Sequence, residues 1–104
     1  MNTVSLPKDL TQRAINAFVN LAGRVSDNDE GDRDHQIYMR DANLLNTAMH
    51  YGKEHSVDLA ERAIKAFQWL SHHVPDNDEG DYWSRVYSND ANSIRNLIHS
   101  KKAK

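Results

Sequence analysis

The sequence predicts an all-α fold: a tandem duplication of a helical hairpin, its two copies closing into a compact four-helix bundle. Three observations carry this. The chain matches itself at an offset of 49 residues, apolar residues recur at helical spacing through both copies, and no segment alternates with the period of a strand.

The duplication sets the boundaries. Asp9-Leu10 meets Asp58-Leu59, Arg13-Ala14-Ile15 meets Arg62-Ala63-Ile64, and Asp41-Ala42-Asn43 meets Asp90-Ala91-Asn92. Between Asp9 and His50, 20 of the 42 positions are identical in the second copy, too many for chance. The repeats span 5–52 and 54–101 of a single domain, 1–104, with a basic tail over 101–104 that is expected to fray. Solenoid arrays need at least three units, so two units are expected to close on each other or on a second chain, as a monomer or a homodimer.

In the first helix, Leu10, Ala14, Ala17, Phe18, Leu21 and Val25 step by three and four and form one stripe. Ser5 followed by Pro7 marks its start. The second helix carries Tyr38, Ala42, Leu45 and Met49 on its stripe and ends at Gly52, a residue suited to a left-handed terminal position. Ser56 caps the third helix, whose Leu59, Ala63, Ala66, Phe67, Leu70 and Val74 repeat the first stripe. Tyr87, Ala91, Ile94 and Ile98 repeat the second, and Trp83 falls on the same stripe and is expected in the core. Asp41 and Asp90 interrupt these stripes. Either each is paired with a cation inside a continuous or kinked helix, or the helix breaks there and the Asp caps a short extra helix. Arg13 and Arg62, on the edge of the first-helix stripe, are the natural partners for a structural ion pair.

Between the helices of each hairpin stands one identical hexapeptide, Asp-Asn-Asp-Glu-Gly-Asp, at Asp27–Asp32 and Asp76–Asp81. A calcium loop of the EF-hand type would set the glycine at position 6 and a bidentate Glu at position 12, where this chain has Ile37 and Val86. That match fails, leaving only a looser divalent-cation site. As a turn, the hexapeptide offers Asp27/Glu30 and Asp76/Glu79 at capping-box spacing, glycines for positive φ, and Asp32 and Asp81 as further caps. Two up-down hairpins would also gather both turns at one end of the bundle. Counting Asp34, that end would hold 9 of the 15 acidic residues, against Lys8, Lys53, Lys101, Lys102 and Lys104 opposite. Such a focused negative face suits a protein partner with a basic surface.

Composition narrows the rest. A net charge of −2 does not suit a nucleic-acid-coating protein, and direct nucleic-acid contact is not expected. The chain has no cysteine, no apolar run of transmembrane length and no signal sequence, which together predict a cytoplasmic protein with no membrane role. No known catalytic or binding signature matches it. The six histidines show no zinc-hydrolase spacing, and neither metal nor cofactor is expected.

The function expected from the sequence is a small non-enzymatic module that docks on, inhibits or modulates a macromolecular complex, one that handles nucleic acid being one version. The expected partner-binding residues are Asp27, Asp29, Glu30, Asp32, Asp76, Asp78, Glu79 and Asp81, with Trp69, on the flank of its helix, as an apolar anchor. Two alternatives stand beside it: a divalent-metal-binding protein or carboxylate-based enzyme, and a weak nucleic-acid binder using the lysine-rich end.

Overall fold

A computed structural model describes residues 3–102. It is an all-α four-helix bundle: α1 (Lys8–Ala22), α2 (Asp29–Tyr51), α3 (Val57–His72) and α4 (Asp78–Lys102). α2 packs on α1, α4 packs on α3, and α1 packs on α3. The α1 and α3 stripes carry buried alanines, Ala14 and Ala17 on one and Ala63 and Ala66 on the other. Small side chains let helix axes approach closely. One continuous core results, in which Phe18, Phe67, Leu45, Leu70 and Ile94 are the largest fully buried apolar side chains.

Two strands that the alternation pattern did not indicate lie at one end. β1 (Thr3–Val4) pairs antiparallel with β2 (His55–Ser56). Two residues are too short to show a period, so the pairing is set by the tertiary fold. It ties together the starts of α1 and α3. At the other ends of these helices, the Arg24 guanidinium carbon lies 5.7 Å from the centre of the Trp69 ring. Joined at both ends, α1 and α3 run side by side in the same direction. The turns that follow them therefore emerge at the same end of the molecule.

The caps differ in detail from those expected. Asn28, not Asp27, is the N-cap of α2, and its Oδ1 accepts from Gly31 N–H at 2.8 Å. In the second copy Asn77 Oδ1 accepts from Gly80 N–H at 2.7 Å. Asp32 and Asp81 fall inside the first turns rather than capping them. Gly31 and Gly80 are not at positive φ; Gly52 is the only described residue that is, at φ 65°. The hexapeptide glycines are needed for close approach instead: a Cβ would fall on the carbonyl oxygen of Ser26 or of Pro75. Ser56 Oγ accepts from Leu59 N–H at 3.1 Å and caps α3. α2 ends at Gly52 in a Schellman arrangement, with Lys53 N–H donating to Ala48 O and Gly52 N–H to Met49 O.

Neither α2 nor α4 breaks at Asp41 or Asp90, and no short extra helix forms at either position. α4 runs on through Lys102, into the segment expected to fray. Ala103 and Lys104 lie outside the described residues.

Candidate functional site

Asp41 and Asp90 are tied to the opposite repeat. Arg62 of the second copy holds Asp41 of the first with two hydrogen bonds, Nε to Oδ2 at 2.8 Å and Nη2 to Oδ1 at 3.1 Å. Arg13 of the first copy donates from Nε to Asp90 Oδ2 at 2.8 Å. Each arginine therefore bridges from a central helix to the outer helix of the other hairpin. The exchange gives the molecule an approximate two-fold axis along α1 and α3. Smaller contacts obey it. Phe18 meets Tyr38 at 6.5 Å between ring centres and Phe67 meets Tyr87 at 6.3 Å. His35 Nδ1–H donates to Ala22 O, and the Ser84 hydroxyl, at the equivalent position, donates to Ser71 O. Both bonds satisfy carbonyls that a helix C-terminus leaves free.

At the turn end, Asp27, Asp29, Glu30, Asp32, Asp76, Asp78, Glu79 and Asp81 are all exposed. None of the eight joins a salt bridge among the described residues. Asp29, Glu30, Asp32, Asp78, Glu79 and Asp81 occupy the first turns of α2 and α4, where the aligned peptide dipoles favour negative charge. Residues 23–36 and 72–85 hold nine carboxylates against three arginines, a charge of −6. The whole chain carries −2, so everything else carries +4. Lys8 and Lys53 lie beside the β1–β2 end. The molecule is an electric dipole with a small net charge.

Aromatic residues border the acidic end. Trp69 is 39% exposed, with His73 stacked flat on it at 3.7 Å and Arg24 nearby. These neighbours hold the indole in one orientation. Trp83, expected in the core, is 42% exposed, with Tyr82 edge-on at 5.4 Å and Tyr87 at 5.8 Å. Trp83 lies on the stripe face of its helix, but α4 at that level borders Asn20 of α1, a small polar residue that does not cover an indole. Tyr82, Trp83 and Arg24 are thus surface residues that periodicity alone did not single out. Their adjacency to the hexapeptide was the available signal.

Among the described residues, no group of three or more His, Asp or Glu converges on a point where a metal ion could be held. No described helix is long and apolar enough to cross a membrane. His55 is buried and its Nδ1 has no hydrogen-bond partner; desolvation lowers its pKa below 6.5. It lines a groove of about 700 Å³ between α2 and the start of α3.

Fold and surface define a class: a duplicated-hairpin four-helix bundle with its negative charge drawn to one end. Comparison of the chain with protein-family models, with curated proteins and with solved structures gives no match.

Proposed function

We propose that the protein is a small non-enzymatic docking module of the cytoplasm, which binds a protein partner with a basic surface through its acidic end and so modulates or inhibits the complex to which that partner belongs. The observation that carries this reading is the shared placement of the two hexapeptides. Eight exposed carboxylates stand at one end, and among the described residues none is in a salt bridge. A field of this kind raises the encounter rate with a positive surface and selects against negative ones. Trp69, held by His73 and Arg24, supplies a rigid apolar contact at the edge of the charged face, as the anchors of interfaces do.

The test is affinity capture from lysate with the wild type and with a variant carrying Asp29→Asn, Glu30→Gln, Asp78→Asn and Glu79→Gln. The variant is expected to lose the proteins that the wild type enriches, while thermal unfolding shows that both are folded. Capture of the same proteins by a folded variant would remove the acidic end from the account. The amide variant loses favourable interactions with two helix dipoles, so its thermal midpoint is expected to fall by a few degrees without loss of cooperativity.

A further inference from the structure

The two-fold axis generates two clefts of about 260 Å³ each, one beside each Arg–Asp pair. They are alike in size, and each has a Phe–Tyr wall. They differ in chemistry. In the cleft beside Asp41, Arg62 engages both carboxylate oxygens, Lys65 adds a second positive charge, and Arg24 already lies over the Trp69 ring. In the cleft beside Asp90, Asn16 stands where the other has Lys65, and Asn20 stands where it has Trp69. Asn20 Oδ1 accepts from Arg24 Nε at 2.7 Å, so Arg24 borders both clefts, and Lys65 is the charge that only the Asp41 cleft has.

The Asp90 side chain is only 8% exposed, yet only its Oδ2 is used, by Arg13 Nε. Oδ1 accepts no hydrogen bond from any described residue. It is not sealed from solvent, since His55 Nδ1 is the only sealed and unpartnered side-chain N or O atom described. Asp90 lines the cleft, and so do Trp83 and Tyr87, 5.8 Å apart between ring centres. An oxygen on a largely buried carboxylate that the cleft leaves open can exchange solvent for a donor that enters it.

We propose that the Asp90 cleft takes a guanidinium, the side chain of an arginine on the basic partner, which donates to the free Asp90 oxygen while lying against the Trp83–Tyr87 wall. The volume suits one side chain; small-molecule ligands usually occupy about 300–1,000 Å³. Aromatic faces attract organic cations, and a planar guanidinium both stacks on an indole and pairs with a carboxylate. A hard metal ion would need several more oxygens than this wall offers. The acidic first turn of α4, immediately before Trp83, favours entry of a cation. The identity of the occupant rests on the docking reading above; the cleft chemistry does not.

The experiment is an NMR titration of the full chain at constant ionic strength, following the Trp83 indole N–H. The probes are N-acetyl-arginine amide and its neutral isostere N-acetyl-citrulline amide. The arginine probe is expected to give a saturable shift with a dissociation constant on the order of 1–10 mM, and citrulline to bind at least about fivefold more weakly. Asn16→Lys copies the other cleft at an exposed helical position, so the fold is retained; it should weaken the arginine probe at least about threefold. No saturable shift up to about 50 mM, equal binding of citrulline, or no effect of Asn16→Lys would each overturn the proposal. The titration involves no partner, so its failure removes the cleft and leaves the docking reading to the capture experiment. Conversely, capture that survives the amide substitutions would remove the docking reading and leave probe binding in place.

Discussion

Arg62 and Arg13 occupy equivalent positions and do unequal work. Asp41 is 1% exposed, and Arg62 satisfies both of its oxygens, so removing the arginine leaves a buried charge with nothing to replace it. Asp90 keeps one oxygen in contact with solvent. Because both arginines are themselves part-exposed, the cost falls below that of a fully buried pair. Arg62→Ala is expected to destabilise the fold by about 3 kcal/mol and Arg13→Ala by about 1–2 kcal/mol, measured by urea unfolding at pH 7. Equal losses would contradict the difference in geometry. Gly31 and Gly80 give a second residue-scale prediction. Gly to Ala inside a helix ordinarily stabilises by about 1 kcal/mol. Here a methyl group would strike the backbone of Ser26 or Pro75, so each Ala variant is expected to lose at least about 2 kcal/mol, read from the same unfolding curves. The pairing of Arg13 and Arg62 with the stripe carboxylates was legible as residue type and face. Its crossing between repeats was not, because periodicity assigns a face to each helix and does not say which neighbour the face meets.

At the scale of elements, the four helices were legible because their stripes are long and appear twice. The two-residue strands were not, and the hexapeptide caps were displaced by one residue because Asp, Asn and Asp in succession are all competent caps. Trp83 shows the same limit: its position on the stripe was right, and its exposure depends on Asn20 across the cleft. The β2 strand carries the most testable element-scale feature. Leu6 and His55 are equivalent and both buried, but only the histidine brings an unpartnered polar atom. His55→Leu is expected to raise stability by about 1–2 kcal/mol at pH 7. The pH dependence follows from the lowered pKa of His55. In the unfolded chain its imidazole binds a proton as the pH falls through 6.5, while the buried ring in the fold resists until lower pH. The unfolded state then holds more protons, and stability falls with acidification across that window. The leucine variant should lose less between pH 7 and 5 than the wild type, as read from thermal midpoints. Parallel losses in the two proteins would contradict this account of His55.

Over the molecule as a unit, the duplication places two short acidic turns at the same end. The hexapeptide alone is a helix start: an Asn cap, carboxylates on the dipole, and a glycine that lets the backbone fold back. Two copies at one end, a parallel α1 and α3, and a net charge of −6 over the two turn segments make it a face. That much was legible from the repeat and from up-down topology. The border of Arg24, Trp69, Tyr82 and Trp83 was only partly so. On the proposed reading this face guides a basic partner onto the molecule by charge, and the decisive measurement is the association rate of the captured partner as a function of salt. Electrostatic guidance predicts that the rate constant falls at least about tenfold between 50 and 500 mM salt for the wild type, and much less for the four-amide variant. A rate that is insensitive to salt, or equally sensitive in both proteins, would contradict it.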